Sequence, residues 1–482
     1  MKGRVPKYSF FILSAALLVL MIGASRNAGI SCDEVLHYDH SVSVWNYFES
    51  HGDDRSALNT PETYLKYYGQ SYDNLVTFLT KWFRIDDVYL FRHFMSALAG
   101  WLTIFVTAFF AVWLSDYRGG IIVILLYAIS PTFLGHSQNN LKDIPFALGY
   151  ISAIFFSLRV LFSNGKISFP DIAILTASIA FAISIRAGGL ILICYLFLFF
   201  SVKYFFKFLK ERKIDVKEIL RGFLLICGIS VLSFFLSILL WPYALQDPVR
   251  NVFESYRVMA HFPATFRQIF EGREEWSDYM PWYYLIKSMV ITIPLVVTAG
   301  WLIAAAFSKR ILYSVNTIKI GMLVFTVIFP LLFVIAVRSN LYSSWRQFLF
   351  IYPGIIIVSA LGFNYLFGQI RNKYLAGALI IGLFCLSVHP LRFMAFNQPY
   401  WYIYYNQLAG GLKGAYGNYE ADYYYVSQTE ASEWLIDYLK QKGDTSGVKI
   451  GATYSVKWAF RRYPGIKTSY FRYDERSQSD WD

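Results

Sequence analysis

Two adjacent carboxylates, Asp33 and Glu34, follow the first apolar run of the chain within about ten residues. A carboxylate held beside a reacting group can accept a proton from a hydroxyl or amine nucleophile. The alternative is an acidic start to a solvated loop, and the nearby His37, Tyr38 and His40 do not decide between the two. Asp33 and Glu34 are therefore candidate catalytic residues.

A second polar segment joins two later apolar runs and contains His136, Lys142 and Asp143. Asp143, with Pro145 two residues on, also suits a helix N-terminus, because a carboxylate there complements the helix dipole and proline fits the first turn. His136 and Asp143 could share a divalent cation, but two ligands do not define a metal site. We predict no metal, and we take Asp143 as a third candidate catalytic residue.

Arginines stand at the ends of apolar runs, with Arg186 in Ile-Arg-Ala-Gly-Gly, Arg338 closing a later run and Arg346 opening the next. A guanidinium binds phosphate through two hydrogen bonds and stays charged in apolar surroundings. The alternative is an arginine that reaches to lipid headgroups. We favour phosphate binding for Arg186 and Arg346, together with Lys142.

Aromatic residues accompany these charges, as in Trp241-Pro242-Tyr243 and Pro281-Trp282-Tyr283-Tyr284. Such clusters usually mark the membrane–water interface, although aromatic faces also suit sugar rings and prenyl chains. The candidate substrate contacts are His136, Tyr243, Trp282, Tyr342 and Tyr352.

The candidate residues lie at or near the ends of long apolar segments. The 482-residue chain is 56% hydrophobic and 16% charged, whereas soluble domains carry about 25% charged residues. A single soluble domain and a disordered chain are therefore excluded. A membrane-spanning helix needs about 20 mostly apolar residues. Eleven segments qualify: 8–25, 93–115, 119–135, 144–163, 170–187, 188–206, 220–243, 284–307, 316–337, 347–367 and 374–391.

Charge predicts which side of the membrane each loop occupies. With the N-terminus in the cytoplasm, the cytoplasmic segments are the N-terminal tail, 116–118, 159–169, 203–221, 308–319 and 369–373, which hold 18 of the 44 Lys and Arg residues. This is the distribution typical of cytoplasmic loops. The net charge of +12 thus orients the chain and predicts no nucleic-acid partner. The first span has a basic start, as a cleaved signal peptide also would, but we favour an uncleaved anchor.

The predicted organisation is a transmembrane domain over 1–391 and an extracytoplasmic α/β domain over 392–482. Larger outer loops fall at 26–92, 136–143 and 244–283. In the tail, Ser427-Gln-Thr-Glu430 predicts a capping box that opens a helix ending at Gly443, and Val448–Tyr454 predicts a strand. The four cysteines, Cys32, Cys194, Cys227 and Cys385, show no metal-binding spacing and no disulfide framework.

Together these features describe an outer, membrane-embedded site with acids, arginines and aromatic rings, suited to a phosphate whose apolar tail lies in the bilayer. At these residues the chain resembles the GT-C superfamily of membrane glycosyltransferases, in particular the bacterial branch related to protein O-mannosyltransferases and lipid A aminoarabinose transferases. The motifs that carry the resemblance are Asp33-Glu34, Lys142-Asp143-Ile-Pro-Phe, Arg186-Ala-Gly-Gly, Trp241-Pro-Tyr, Pro281-Trp-Tyr-Tyr with Thr292-Ile-Pro294, Trp345-Arg346-Gln-Phe-Leu-Phe-Ile-Tyr-Pro, Tyr405-Asn-Gln-Leu-Ala-Gly-Gly and Glu420-Ala-Asp-Tyr-Tyr.

The resemblance implies a mainly α GT-C fold and inverting transfer of a sugar from a polyprenyl-phosphate donor to an extracytoplasmic acceptor. It implies that Asp33 is the base, that Glu34 and Asp143 orient substrates, and that Arg186 and Arg346 bind the leaving phosphate. It also implies a bacterial inner-membrane location with a periplasmic tail. The tail lacks the β-trefoil insertion of eukaryotic protein mannosyltransferases, which leaves the acceptor class open.

The sequence is also compatible with two other functions. A flippase or transporter of lipid-linked glycans would need charges at the midplane of several spans, whereas here they gather at one face. A non-catalytic scaffold that binds glycans through its tail would not need Asp33 or Arg346.

Overall fold

The computed structural model describes residues 4–61, 63–163, 167–213, 215–260, 262–443, 447–452, 454–463 and 465–470. The α-helices are α1 (Arg4–Ser25), α2 (Cys32–Glu49), α3 (Ser71–Phe83), α4 (Val88–Leu114), α5 (Tyr117–Ala128), α6 (Pro131–Asn139), α7 (Asp143–Leu161), α8 (Phe169–Ile185), α9 (Ile191–Glu211), α10 (Val216–Ser237), α11 (Pro242–Gln246), α12 (Pro248–Ala260), α13 (Tyr284–Thr292), α14 (Leu295–Ala306), α15 (Ser308–Val315), α16 (Thr317–Ala336), α17 (Tyr352–Gln369), α18 (Lys373–Phe396), α19 (Gly411–Ala415), α20 (Ser427–Lys442) and α21 (Tyr454–Ala459).

The remaining regular structure is short. Single 3-10 turns lie at Ser56–Leu58, Leu65–Tyr67, Ala187–Leu190, Arg346–Ile351, Tyr400–Ile403, Gln407–Ala409 and Phe460–Arg462. The strands are β1 (Arg267–Phe270), β2 (Arg273–Trp276), β3 (Lys449–Ala452) and β4 (Lys467–Tyr470). β1 pairs antiparallel with β2 across a tight turn, and β3 pairs parallel with β4.

Helices long and apolar enough to cross a membrane dominate the chain. Among the described residues eight helices meet this test, and two bent helix pairs bring the number to ten. The shorter apolar helix α8 accounts for the remaining predicted span, 170–187. Each predicted span thus falls on an apolar helix or helix pair, which confirms a polytopic, mainly α membrane protein. The count of eleven crossings stays a prediction.

Two predicted spans, 119–135 and 284–307, are not single helices. α5 and α6 meet at 74°, and α13 and α14 meet at 111°. The breaks fall at Pro131 and Pro294. Proline lacks a backbone N–H and clashes with the preceding turn, so it ends a helix or begins a new one. Two of the predicted spans are therefore helices broken at a proline.

The centre of the bundle is formed by α7 and by the span that ends in α17. In their most apolar windows, 83% and 78% of the residues are buried, against 6% for α18. α18 therefore lies at the periphery, where an apolar helix faces lipid. Asp143 begins α7, and Arg346 begins the turn that leads into α17. The two central helices thus carry candidate site residues at the same end.

That end, called the site end here, comprises the described residues of 26–87, 242–283 and 338–345, and the described part of the tail packs against it. Hydrogen bonds tie it together: Asn139 donates to the Gly29 carbonyl, Asn74 to the Leu240 carbonyl and Trp241 to the Lys66 carbonyl. The basic segment 203–221 lies at the opposite end of α9 and α10.

The tail after α18 contains α20, β3, α21 and β4, and residues 471–482 lie outside the described part. That 392–482 forms its own domain stays a prediction. α20 ends at Gly443 as predicted, but Ser427 forms no capping box. Asp422 accepts the Val426 and Ser427 N–H groups at 3.0 Å each and so caps the helix from upstream. A capping box does form at α2, between Ser31 and Glu34.

Candidate active site

A cavity of about 950 Å³ opens between the site end and the tail. Asp33, Lys142 and Arg346 line one wall, called the cavity floor below, and Glu420 lines the wall contributed by the tail. Aromatic residues complete much of the lining, including Tyr68 and Tyr342. The cavity therefore combines charges of both signs with ring faces.

Asp33 occupies the first turn of α2. Arg346 Nη1 donates to its Oδ2 at 2.7 Å, and Lys142 Nζ lies 3.6 Å from the same oxygen. Burial opposes ionisation of this carboxyl, but Arg346 and Lys142 outweigh burial and hold its pKa well below the ordinary value. Asp33 is therefore ionised at neutral pH, and 31% of its side chain stays exposed to the cavity.

Lys142 is oriented by a chain of hydrogen bonds. Its Nζ donates to His37 Nε2 at 3.1 Å, while His37 Nδ1 lies 2.7 Å from Gln70 Oε1, an acceptor. His37 therefore carries its proton on Nδ1 and is neutral. Burial and the neighbouring Lys142 hold its pKa well below the ordinary value. The Lys142 ammonium also lies 5.2 Å from the centre of the Tyr68 ring, so it is fixed at the cavity floor.

Arg346 is buried among aromatic rings. Its guanidinium carbon lies 4.7 Å from the ring centre of Tyr424 and 5.6 Å from that of Tyr342. Its Nε has no hydrogen-bond partner among the described residues. A buried guanidinium with a donor to spare, beside a cavity, suits an anionic ligand.

Asp143 and Arg186 form an ion pair behind the cavity floor. Asn140 Nδ2 donates to Asp143 Oδ2 and to the Tyr424 hydroxyl at 2.8 Å each. α7 begins at Asp143, but its carboxylate pairs with Arg186 and does not cap the helix. Tyr68, which lines the cavity, lies within electrostatic range of both residues. The predicted roles of Asp143 and Arg186 in substrate binding thus stay predictions.

Glu34 points away from the cavity. Its oxygens lie 3.2 Å from His93 Nε2 and 3.7 Å from Arg92 Nε, and Arg92 also pairs with Asp73. Adjacent helical residues point about 100° apart. Once Asp33 faces the cavity, Glu34 turns into the bundle and closes the capping box with Ser31. Glu34 thus lies outside the cavity lining, and its predicted role in orienting substrate stays a prediction.

Two predicted substrate contacts are core residues. His136 is buried on α6, with Nε2 2.9 Å from the Tyr423 hydroxyl. Tyr352 is buried at the start of α17, and its hydroxyl lies 2.6 Å from Ser130 Oγ. Neither lines the cavity, and their polar atoms bind the Tyr423 and Ser130 hydroxyls. Within the described residues, no third His, Cys, Asp or Glu joins His136 and Asp143 to form a metal-binding cluster.

Two further predicted contacts lie outside the cavity lining, whereas Tyr342 lies in it. Tyr243 packs edge-on against Tyr67, and the Lys66 ammonium lies 5.1 Å from its ring centre. Trp282 is 69% exposed. Their positions on the surface of the site end fit the interfacial alternative.

Glu420 begins the Glu420-Ala-Asp-Tyr-Tyr motif, to which the sequence alone assigns no role. Burial raises the pKa of its carboxyl to about 7, although Arg346 and the Ser343 N–H act in the opposite direction. A perturbed carboxyl in a cavity is a common feature of functional sites. The available signal was an acidic residue, the first of the sequence Glu-Ala-Asp-Tyr-Tyr, within the tyrosine-rich segment 416–425.

No protein-family model and no curated protein matches the chain. Its structure is similar to the archaeal oligosaccharyltransferase AglB from Archaeoglobus fulgidus, in complex with an inhibitory peptide and a dolichol-phosphate. The TM-score is 0.56 at 15% identity, over 94% of this chain and 63% of AglB. The chain thus spans less than two thirds of AglB.

The structure is also similar to ArnT from Cupriavidus metallidurans. For the apo state the TM-score is 0.53 at 14% identity, over 97% of this chain and 86% of ArnT. For ArnT bound to undecaprenyl phosphate it is 0.52 at 14% identity, over 94% and 84%. Similarity over nearly the whole chain, at such low identity, establishes the fold. The chain is therefore a polytopic integral membrane protein with the GT-C fold that the sequence resemblance implies.

Proposed function

We propose that the protein is a glycosyltransferase that moves a sugar from a polyprenyl-phosphate donor to an extracytoplasmic acceptor with inversion at the anomeric carbon. The observation that carries the proposal is the cavity floor, where Arg346 and Lys142 converge on Asp33 beside a cavity of about 950 Å³. Two fixed cations suit a lipid phosphate, and the carboxylate suits an acceptor nucleophile.

The donor phosphate binds Arg346 and Lys142. Arg346 remains charged when buried and has an unpartnered Nε, and Lys142 supplies a second positive charge. Both residues stabilise the charge that develops on the phosphate as it leaves. Arg186, which is paired with Asp143 behind the cavity floor, adds to the positive potential at the phosphate.

The transfer is one displacement. The acceptor oxygen or nitrogen attacks the anomeric carbon while the bond from that carbon to the phosphate oxygen breaks, and its electron pair goes to the phosphate. The acceptor loses its proton to a carboxylate, for which Asp33 is the residue that the sequence resemblance implies. A lipid phosphate leaves as an anion, so the reaction needs no acid of the kind glycosidases use.

Two structural neighbours support this donor class, since AglB was captured with dolichol-phosphate and ArnT with undecaprenyl phosphate. Both ligands are polyprenyl phosphates. We propose the same ligand class here, with the phosphate in the cavity and the prenyl chain in the bilayer. The inferred location is the bacterial inner membrane, with the N-terminus cytoplasmic and the tail periplasmic.

The experiment supplies purified protein with radiolabelled undecaprenyl-phosphate hexose or pentose and three acceptors: a Ser/Thr peptide, a lipid A-type lipid and an envelope-glycan fragment. Release of undecaprenyl phosphate and labelling of one acceptor are measured. We expect transfer by the wild type, a large fall in the transfer rate in Asp33→Asn, and the wild-type rate in Asp278→Asn, which changes an exposed carboxylate at the same end. Turnover in Asp33→Asn equal to the wild type would contradict the role of Asp33.

A further inference from the structure

Glu420 and Asp33 are the two acidic residues lining the cavity within the described chain. They approach it from different sides, since Asp33 belongs to α2 and Glu420 to the tail segment between α19 and α20. Arg346 lies within electrostatic range of both carboxyls. A substrate bound over Arg346 therefore has a carboxyl group on either side.

The backbone at Glu420 is held from several directions. Tyr419 forms a bridge with Phe270 of β1, and the Tyr405 hydroxyl donates to the Glu420 carbonyl at 2.6 Å. The Asn418 carbonyl accepts the Gly272 N–H at 3.1 Å. Glu420 is thus held in place by the β1–β2 hairpin, which is the placement a residue needs to act on a bound substrate.

A strained turn joins the Glu420 carboxylate to the cavity floor. Ser343 and Ser344 adopt left-handed φ values of 56° and 59°, which non-glycine residues rarely occupy. In this conformation the Ser344 N–H donates to the Tyr284 hydroxyl at 3.0 Å, and the Ser343 N–H faces the Glu420 carboxyl and favours its ionised form. Arg346 follows two residues later. Such strain concentrates at functional sites.

The two carboxyls differ in proton affinity. The cations around Asp33 hold its pKa well below the ordinary value, so its carboxylate is a weak base. Burial raises the pKa of Glu420 to about 7, which is close to the value at which a general base works best at neutral pH. The titratable groups that face Glu420 are Arg346, Tyr284, Tyr405, Tyr423 and Tyr425.

We propose that Glu420 is a catalytic residue that takes the proton from the acceptor nucleophile, while Asp33 holds Arg346 and Lys142 in position beside the leaving phosphate. This proposal rests on the transferase function. The acceptor O–H or N–H bond breaks, its electron pair forms the bond to the anomeric carbon, and the bond to the phosphate oxygen breaks toward the phosphate. The proton ends on the Glu420 carboxylate, which releases it to solvent after the product leaves.

The test is the pH dependence of kcat/KM for transfer from undecaprenyl-phosphate hexose or pentose, whichever the wild type uses. We expect a wild-type acidic limb with its midpoint near 7. The pH profile of Glu420→Gln should lack this limb. Its kcat should be lower than that of the wild type by at least about 100-fold, with little change in KM for the donor. Asp33→Asn is slower but retains the limb, and Glu420→Asp recovers part of the rate. Glu433→Gln, at an exposed carboxylate of α20, behaves as the wild type.

Four outcomes overturn the proposal. A Glu420→Gln rate and pH profile equal to the wild type removes Glu420 from the reaction but leaves the transferase function standing. If the pH profile of Asp33→Asn lacks the acidic limb, then Asp33, and not Glu420, accepts the proton. Absence of transfer by the wild type with every donor and acceptor overturns both proposals. If Glu420→Gln does not fold, a wild-type profile without a limb near neutral pH is decisive against Glu420.

An infrared titration gives a second readout that needs no acceptor. The difference spectrum of wild type minus Glu420→Gln should contain one protonated-carboxyl band that disappears as the pH rises through about 7. The corresponding Glu433→Gln spectrum should lack that band. A Glu420 carboxyl that is already fully ionised at pH 5 would contradict the assignment.

Discussion

Arg346 Nη1 donates to Asp33 Oδ2 at 2.7 Å, although 313 residues separate the two in the chain. This hydrogen bond joins the first turn of α2 to the turn that opens into α17. Each side chain compensates the charge of the other, and both line the same cavity. The link turns two motifs at opposite ends of the sequence into one site.

Replacing Arg346 should lower the rate of transfer. Arg346→Ala removes a donor to the leaving phosphate, so we expect kcat to fall about 100- to 1,000-fold. Arg346→Lys keeps the positive charge but cannot form the two parallel hydrogen bonds of a guanidinium, so its rate should lie between those of the wild type and Arg346→Ala. Steady-state kinetics with labelled undecaprenyl-phosphate sugar measure these effects.

Arg338→Ala is the matched control, because Arg338 is an exposed arginine at the same end. The losses in Asp33→Asn and Arg346→Ala should not add in the double variant, since the residues are in contact. Strict additivity would mean that they act independently. An Arg346→Ala enzyme with unchanged turnover and donor KM would remove Arg346 from phosphate binding.

Arg92 should matter for folding. It is fully buried between Asp73 and Glu34. Arg92→Met leaves two buried carboxylates without their cation, and breaking a buried ion pair costs about 3–5 kcal/mol. Thermal unfolding in detergent should therefore show a marked fall in Tm. Adding Asp73→Leu should restore part of it, while Arg84→Met, at an exposed arginine after α3, should change little. An Arg92→Met Tm equal to the wild type would show that the buried pairs contribute nothing.

The membrane architecture could be predicted from the sequence because each span is decided locally, by the hydropathy of about 20 residues. Asp33, Lys142 and Arg346 could be predicted for the same reason, since each lies at a boundary between polar and apolar sequence. The bends at Pro131 and Pro294 were also visible as prolines inside apolar runs. Their angles depend on packing against neighbouring helices.

Side-chain direction could not be predicted. Asp33 and Glu34 are neighbours in sequence. Glu34 nevertheless points into the bundle, because its carboxylate contacts Arg92 and His93, which lie nearly 60 residues later. His136 is buried because Tyr423 approaches it from the tail. Glu420 depends on a turn at Ser343 that no local pattern indicates. These are tertiary contacts, which composition and spacing do not encode.

Glu420 should make stability depend on pH. Its folded-state pKa of about 7 exceeds the ordinary 4.5, so the folded protein binds this proton more tightly than the unfolded chain does. Stability therefore falls as the pH rises from about 4.5 to 7. Glu420→Gln lacks this term, so its Tm relative to the wild type should rise between pH 5 and pH 8. The Tm difference for Glu433→Gln should stay constant. A constant difference for Glu420→Gln as well would place its pKa at the ordinary value.

Gly135 should be intolerant of a side chain. A Cβ there would lie 2.3 Å from the Tyr402 nitrogen and 2.7 Å from the Trp401 carbonyl carbon. Backbone atoms cannot move aside as a flexible side chain can, so Gly135→Ala should destabilise the fold by about 1–3 kcal/mol. Gly321→Ala, in α16 with no atom within 4 Å, should be neutral or stabilising. Tm values in detergent compare the two, and an unchanged Gly135→Ala would mean that α6 can shift away from the Tyr400–Ile403 turn.

Sidedness decides where the cavity opens. With the four native cysteines replaced by alanine, a membrane-impermeant maleimide applied to intact cells should label Glu433→Cys in the tail but not Lys213→Cys in the basic segment after α9. Both positions are exposed, so access from solvent is matched, and permeabilised cells should show labelling of both. The basic segment is expected inside because Lys and Arg are retained in the cytoplasm. Reversed labelling would place Asp33, Arg346 and Glu420 on the cytoplasmic side, where an extracytoplasmic acceptor cannot reach them.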